Sequence, residues 1–201
     1  IPMKLKLIFA LLTLAIFQAL PTQAESFQEE ISETELSNKD LSNQARKRIK
    51  LFAKDLKKTL KQGLSTQGPV AAIELCKSQA PDISEAHSLN GWSLSRTSLK
   101  TRNSKNTATG WQVDLLQGFE DKKLAGDPLK TLEVSLVQDG RFYFIKAIPT
   151  APLCTTCHGS DLVAPVKARL AELYPQDQAV GFSAGDIRGA FIVSKRLNEP
   201  E

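Results

Sequence analysis

The stretch Cys154-Thr155-Thr156-Cys157-His158 constrains this chain more than any other. Two thiols separated by two residues can each form a thioether to a vinyl group of a porphyrin. The histidine that follows then lies under the iron. C-x-x-C-H is the attachment signature of a c-type haem, so we expect one haem c, bound covalently through Cys154 and Cys157, with His158 as an axial ligand. Pro149 and Pro152 before the motif and Gly159 after it suit a loop held against a flat ligand. Three other readings use the same residues. A thioredoxin-like redox pair needs its first cysteine at a helix N-terminus after a buried strand, and the surroundings do not otherwise look like that fold. A zinc site could recruit Cys76, Cys154, Cys157 and one histidine. A plain disulfide is the third.

Covalent haem attachment in bacteria is extracytoplasmic, and the N-terminus agrees with that. After an Ile1-Pro2 lead-in, Met3 begins a leader with Lys4 and Lys6, an apolar run from Leu7 to Leu20, and small residues before Glu25. We read residues 1–24 as a cleaved secretory signal peptide and the mature protein as periplasmic. The apolar run is shorter than the roughly 20 residues that a spanning helix needs, which disfavours the alternative of an uncleaved anchor. No cysteine near the site offers a lipid anchor, and no later run is long enough to span a bilayer. The leader holds no acid, so its loss takes the formal charge from +4 to +2. That balance gives no nucleic-acid footprint.

The rest reads as a polar arm, residues 25–42, followed by one domain, residues 43–201. The arm is either loosely ordered or the first turns of a helix. From Asn43 to Leu64, residues Ala45, Ile49, Phe52, Leu56, Leu60 and Leu64 form one apolar stripe at helical spacing. Lysines and arginines between Lys47 and Lys61 occupy the other faces, as a solvated surface or a basic docking surface. Gly68-Pro69 breaks this helix and starts another, expected to stop before Pro81. Cys76 should point inward from it, on the side of Ala72, Ile73 and Ala80. Asn90-Gly91 signals a turn, and Trp92–Lys100 reads as a strand. A polar loop leads to a helix carrying Trp111, Leu115 and Phe119. Asp139-Gly140 then joins two strands as a type I′ hairpin, and the second strand runs into the haem motif. Pro165 opens a short helix, and Ile187–Leu197 reads as the last strand. Helices first, then a mostly antiparallel sheet, make an α+β fold.

Composition limits the second axial ligand. The one methionine is Met3, in the leader, so a His/Met cytochrome is excluded for the mature chain. Cys76 and His87 are the remaining strong ligands, ahead of a lysine, water or an open position. Cys76 could equally be a small buried hydrophobe, and His87 a surface or capping histidine.

Taken together, several segments resemble a family of secreted single-haem c-type proteins with a PAS-like fold, found alone or as sensor modules in cyanobacteria and proteobacteria. The segments are Glu74-Leu75-Cys76 with Ala80-Pro81, Arg96, Ser98-Leu99-Lys100, Arg102-Asn103 with Asn106, the CTTCHG motif and Arg188-Gly189-Ala190. Ser104 and Ala108 stand where family members often carry proline. The resemblance implies a central antiparallel sheet with flanking helices and, in some members, His/Cys ligation, which transfers here to His158 and Cys76. Arg96 and Arg102 become candidates for the haem propionates, because guanidinium groups pair well with carboxylates. The alternative for both is ordinary surface charge.

Two functions follow. One is a redox or diatomic-gas sensor, whose signal passes to a separate signalling protein. The other is an electron carrier that docks on a redox partner. Coordination of both iron faces favours the second. The long amphipathic helix could support a homodimer. A four-helix cytochrome is disfavoured by the hairpin before Cys154. No distal acid–base set points to an enzyme.

Overall fold

A computed structural model describes the backbone of residues 23–197 and the side chains of residues 37–197. The leader lies outside the described residues, apart from the helical backbone of Gln23 and Ala24. The chain divides into two units, Ile1–Leu36 and Ser37–Glu201, and the second holds the sheet and the haem motif.

Helix α1 spans Gln23–Ala86 and is interrupted at Gly68, whose φ of 79° and ψ of −169° are not helical. The residues read as a polar arm therefore have helical backbone. The expected apolar stripe is inside: Ala45, Ile49 and Phe52 are buried, joined by Leu41, with Leu56 packed against them. Its charged faces remain in water, with Lys47, Lys50, Lys54, Lys57, Lys58 and Lys61 all exposed.

One boundary needs correction. The helix does not stop before Pro81 but continues to Ala86. Proline deprives one carbonyl of its helical donor, and tertiary contacts hold the following turn regardless. Ile83 packs on the Phe52 cluster. Ser84 Oγ donates to the Leu94 carbonyl at 2.7 Å, and the Leu94 amide donates to Ser88 Oγ at 2.9 Å.

Four strands follow: β1 (Trp92–Thr97), β2 (Glu133–Gln138), β3 (Arg141–Pro149) and β4 (Ile187–Arg196). They form one antiparallel sheet in the order β1-β4-β3-β2. The β2–β3 hairpin turns at Asp139 and Gly140, both at positive φ (52° and 68°), as an I′ turn requires. Strand β1 is shorter than its sequence pattern. Ser98 leaves the ladder to bridge Thr107, and its hydroxyl bonds the carbonyls of Lys100 and Arg188. The polar segment after it contains a 3₁₀ turn, Ser104–Asn106.

Alternation along the strands covers both faces of the sheet. Trp92, Leu94, Phe142, Phe144 and Val193 face Phe52 and Ile49 of α1. Ile145, Ala147, Ala190 and Ile192 face Leu116 and Phe119 of helix α2 (Trp111–Leu124). A third cluster lies apart from these. There Ile73 of α1 meets Cys157, Val166 and Leu170, the last two from helix α4 (Ala164–Leu173). That cluster carries the haem motif.

Candidate functional site

The motif is wound tightly by its own small residues. A 3₁₀ turn, Pro152–Cys154, runs into the short helix α3, Thr155–His158. Thr155 Oγ1 donates to the Pro152 carbonyl at 2.7 Å, and the Gly159 amide closes the turn on the Thr155 carbonyl at 2.9 Å. A side chain at position 159 would put its Cβ 2.6 Å from that carbonyl oxygen, so glycine is required there by close approach. Cys157 is buried among Ile73, Val166 and Leu170, whereas Cys154 is half-buried.

The segment 177–182 lies alongside and fixes the histidine. The amides of Gly181 and Phe182 donate to the carbonyls of Gly159 and His158 at 3.0 and 2.9 Å. The His158 Nδ1 stands 2.7 Å from the Ala179 carbonyl. A carbonyl can only accept, so Nδ1 carries the proton and Nε2 presents its lone pair. Burial, reinforced by Arg188, Arg102 and Arg96, pushes the His158 pKa down to about 2, against the opposing pull of the Ala179 hydrogen bond. The imidazole is therefore neutral at any physiological pH, the form in which histidine binds a metal.

Three arginines surround this histidine, and they differ in what they hold. Arg102 is held by protein acceptors through Nε and Nη2. Its Nε donates to Asp177 at 2.9 Å, and its Nη2 reaches the carbonyls of Cys157 and, at 3.4 Å, Ala179. Arg96, on β1, lies over the Phe52 ring. Arg188, on β4, donates from Nη1 to the His158 Nε2 lone pair at 3.4 Å, and its buried Nε has no hydrogen-bond partner. Among the described residues, neither Arg96 nor Arg188 pairs with a carboxylate. Burial lowers the pKa of both guanidinium groups, the physical mark of charge held away from water.

Cys76 comes to the same place from α1. Burial raises its thiol above the usual range, while Arg96 and Arg102 pull it back towards the thiolate. It is also close enough to Cys157 to help raise that thiol, which burial dominates. His87 is engaged differently. Its Nε2 stands 2.8 Å from Asp55, and its ring meets the Phe52 ring edge-on.

Of the residues singled out from the sequence, Cys76, Cys154, Cys157, His158, Arg96 and Arg102 are thus brought together. Sequence reasoning did not assign Arg188, Asp177 or Ala179 to the site. An arginine within an apolar strand was the available signal for Arg188; Asp177 and Ala179 carried none. The alternatives fare less well. All pairings in the sheet are antiparallel, unlike the parallel strand crossover of a thioredoxin-like fold. Among the described residues, no group of three or more His, Cys, Asp or Glu side chains converges on a metal position, so the Cys₃His zinc set is not assembled. No helix among them is long and apolar enough to cross a membrane.

These residues fit a c-type haem. The two motif thiols are followed by a neutral imidazole whose Nε2 carries the lone pair, and two half-buried guanidinium groups have no carboxylate partner among the described residues, a role that a haem's propionates would fill.

A solved structure described as the crystal structure of the cyanobacterial heme-protein Tll0287 aligns over 81% of this chain and 98% of its own, with a TM-score of 0.59 and 21% identity. At that identity the likeness establishes the fold, α+β and PAS-like. No curated protein matches the chain. Residues 18–195 match the Tll0287-like family, and the chain belongs to it.

Proposed function

We propose that this member of the Tll0287-like family is a periplasmic monohaem c-type protein that acts in redox or gas sensing or in electron transfer. Cys154 and Cys157 would hold the haem through thioethers, His158 would bind one face of the iron, and Cys76 the other. The observation that carries this reading is the His158 imidazole of the C-x-x-C-H motif, whose tautomer is set by Ala179 so that Nε2 carries the lone pair. The relative's printed description as a heme-protein supports it.

A haem in this position supplies one-electron Fe(III)/Fe(II) chemistry, at a potential that thiolate donation depresses. The chain's own residues do the rest. The 177–182 segment keeps the imidazole neutral and aimed. Arg96 and Arg188 offer guanidinium groups to the propionate carboxylates. Arg96 and Arg102 favour the thiolate form of Cys76 against its burial. With both faces coordinated, no position remains for a substrate, which favours a non-enzymatic role. The partner would be a redox protein or a separate signalling protein.

The test compares optical and EPR spectra of the wild type and Cys76→Ala in both redox states, after expression with haem-attachment machinery. We expect a low-spin ferric thiolate signature that disappears in the variant. Identical spectra would remove Cys76 as a ligand and leave His87 or an open position.

A further inference from the structure

Arg102 and Asp177 form the most enclosed ion pair at the site. Their side chains retain only 15% and 8% of their exposure, at an Nε–Oδ2 distance of 2.9 Å. Such a pair is costly to bury unless its remaining hydrogen-bonding capacity is used. Here Asp177 Oδ1 and Arg102 Nη2 both use theirs, on backbone groups next to His158 or bonded to it. The other Asp177 oxygen, Oδ1, accepts the Ala179 amide at 2.8 Å. The Ala179 carbonyl accepts the His158 Nδ1 proton at 2.7 Å. Arg102 Nη2 donates to the Cys157 carbonyl, one residue before His158, and reaches the Ala179 carbonyl as well. Residue 179 is thus gripped at its amide by Asp177 and at its carbonyl by His158, and Arg102 bonds both chain segments. Neither charged group touches the imidazole directly.

We propose that Arg102 and Asp177 are positioning residues for the axial histidine: through Ala179 they fix the orientation of the His158 ring and the strength of its Nδ1–H hydrogen bond, and thereby the electron donation of Nε2 to the iron. This rests on the haem reading. It gives Arg102 a positioning role in addition to any role in propionate binding, carried by its Nε bond to Asp177 and its Nη2 bonds to two carbonyls. The principle is general: the partner of a ligating histidine's second nitrogen sets its tautomer and basicity.

The test uses the haem-loaded protein with Asp177→Ala, Asp177→Asn and Arg102→Gln. A weaker Nδ1–H bond makes the imidazole a poorer donor to ferric iron, so the reduction potential of Asp177→Ala should shift positive. Its His158 Nδ1–H should also exchange with solvent faster in NMR spectra of the reduced protein. Asp177→Asn keeps an oxygen for the Ala179 amide and should recover much of the wild-type behaviour, while Arg102→Gln should fall between. In the wild type itself, which needs no variant to fold, the Nδ1–H should be slow to exchange. Fast exchange in the wild type, or unchanged potential and exchange in all three variants, overturns the proposal while the haem reading stands. Absence of haem from the wild type overturns both.

Discussion

The two ends of the site-bearing unit are built on opposite principles. Under α1, the sheet is closed by Phe52, Phe142, Phe144 and Val193, all within 1% of complete burial, with aromatic edges against aromatic faces. Every group there is satisfied by contact alone. Around His158, the same sheet presents Arg96 and Arg188, half-buried cations without a carboxylate partner among the described residues. The first region is complete as a protein core. The second leaves the buried Nε of Arg188 without a hydrogen-bond partner. The Phe52 ring lies on the border, contacting Arg96 on one side and His87 on another. The lesson is that one sheet can carry a region closed by apolar contact and a region of partly buried charge.

The strongest way to break the comparison is to damage the closed region. Phe52→Ala removes a fully buried ring at the centre of its cluster and should cost ~3–5 kcal/mol, read by denaturant unfolding. A loss below about 1 kcal/mol would mean that this core is not the part that stabilises the fold.

A sharper contrast comes from Arg188→Leu. An uncompensated charge held from water is destabilising, and removing one partner of a buried ion pair is destabilising as well. Expressed without haem-attachment machinery, the variant should therefore melt higher than the wild type. Loaded with haem, it should melt lower, each change on the order of 1–3 kcal/mol. Thermal melts of the four samples check this reversal of sign. A shift in the same direction with and without haem would show that Arg188 does not serve the ligand.

The smallest effect belongs to an ordinary surface network. Glu133 is held by Arg46 and Lys146, both at 2.6 Å. Partial burial pushes its carboxyl up, but the two cations outweigh this and hold it below the usual range. A depressed carboxylate adds stability that is present above its unfolded pKa and lost as pH falls through the folded value. Glu133→Gln should thus flatten the acid limb of the stability profile below about pH 4.5, by less than ~1 kcal/mol given its exposure. An unchanged acid limb would discount the network.

Much of this was legible in the sequence because it is local. The stripe from Ala45 to Phe52 follows helical spacing, Asp139-Gly140 selects its own turn, and C-x-x-C-H needs only contiguous residues. The misreadings have local causes too. Pro81 carries a stop signal that contacts from Ile83 and Ser84 override. Ser98 has a strand pattern but spends its hydroxyl on Lys100 and Arg188. What stayed hidden is long-range. Arg102 meets Asp177 across 75 residues, and His158 meets Arg188 across 30. No spacing rule joins such positions; they meet only because β4 lies beside β1 and the 177–182 segment folds back on the motif.

The central claim is covalent attachment of one haem at Cys154 and Cys157. Its most direct test is mass spectrometry of the denatured, trypsin-digested protein after expression with haem-attachment machinery. The peptide from Ala147 to Lys167 contains both motif cysteines and no internal lysine or arginine. The account predicts this peptide carrying the mass of one haem, with none on the peptide that contains Cys76. Recovery of the peptide with two free thiols or an internal disulfide, and no haem, would contradict it.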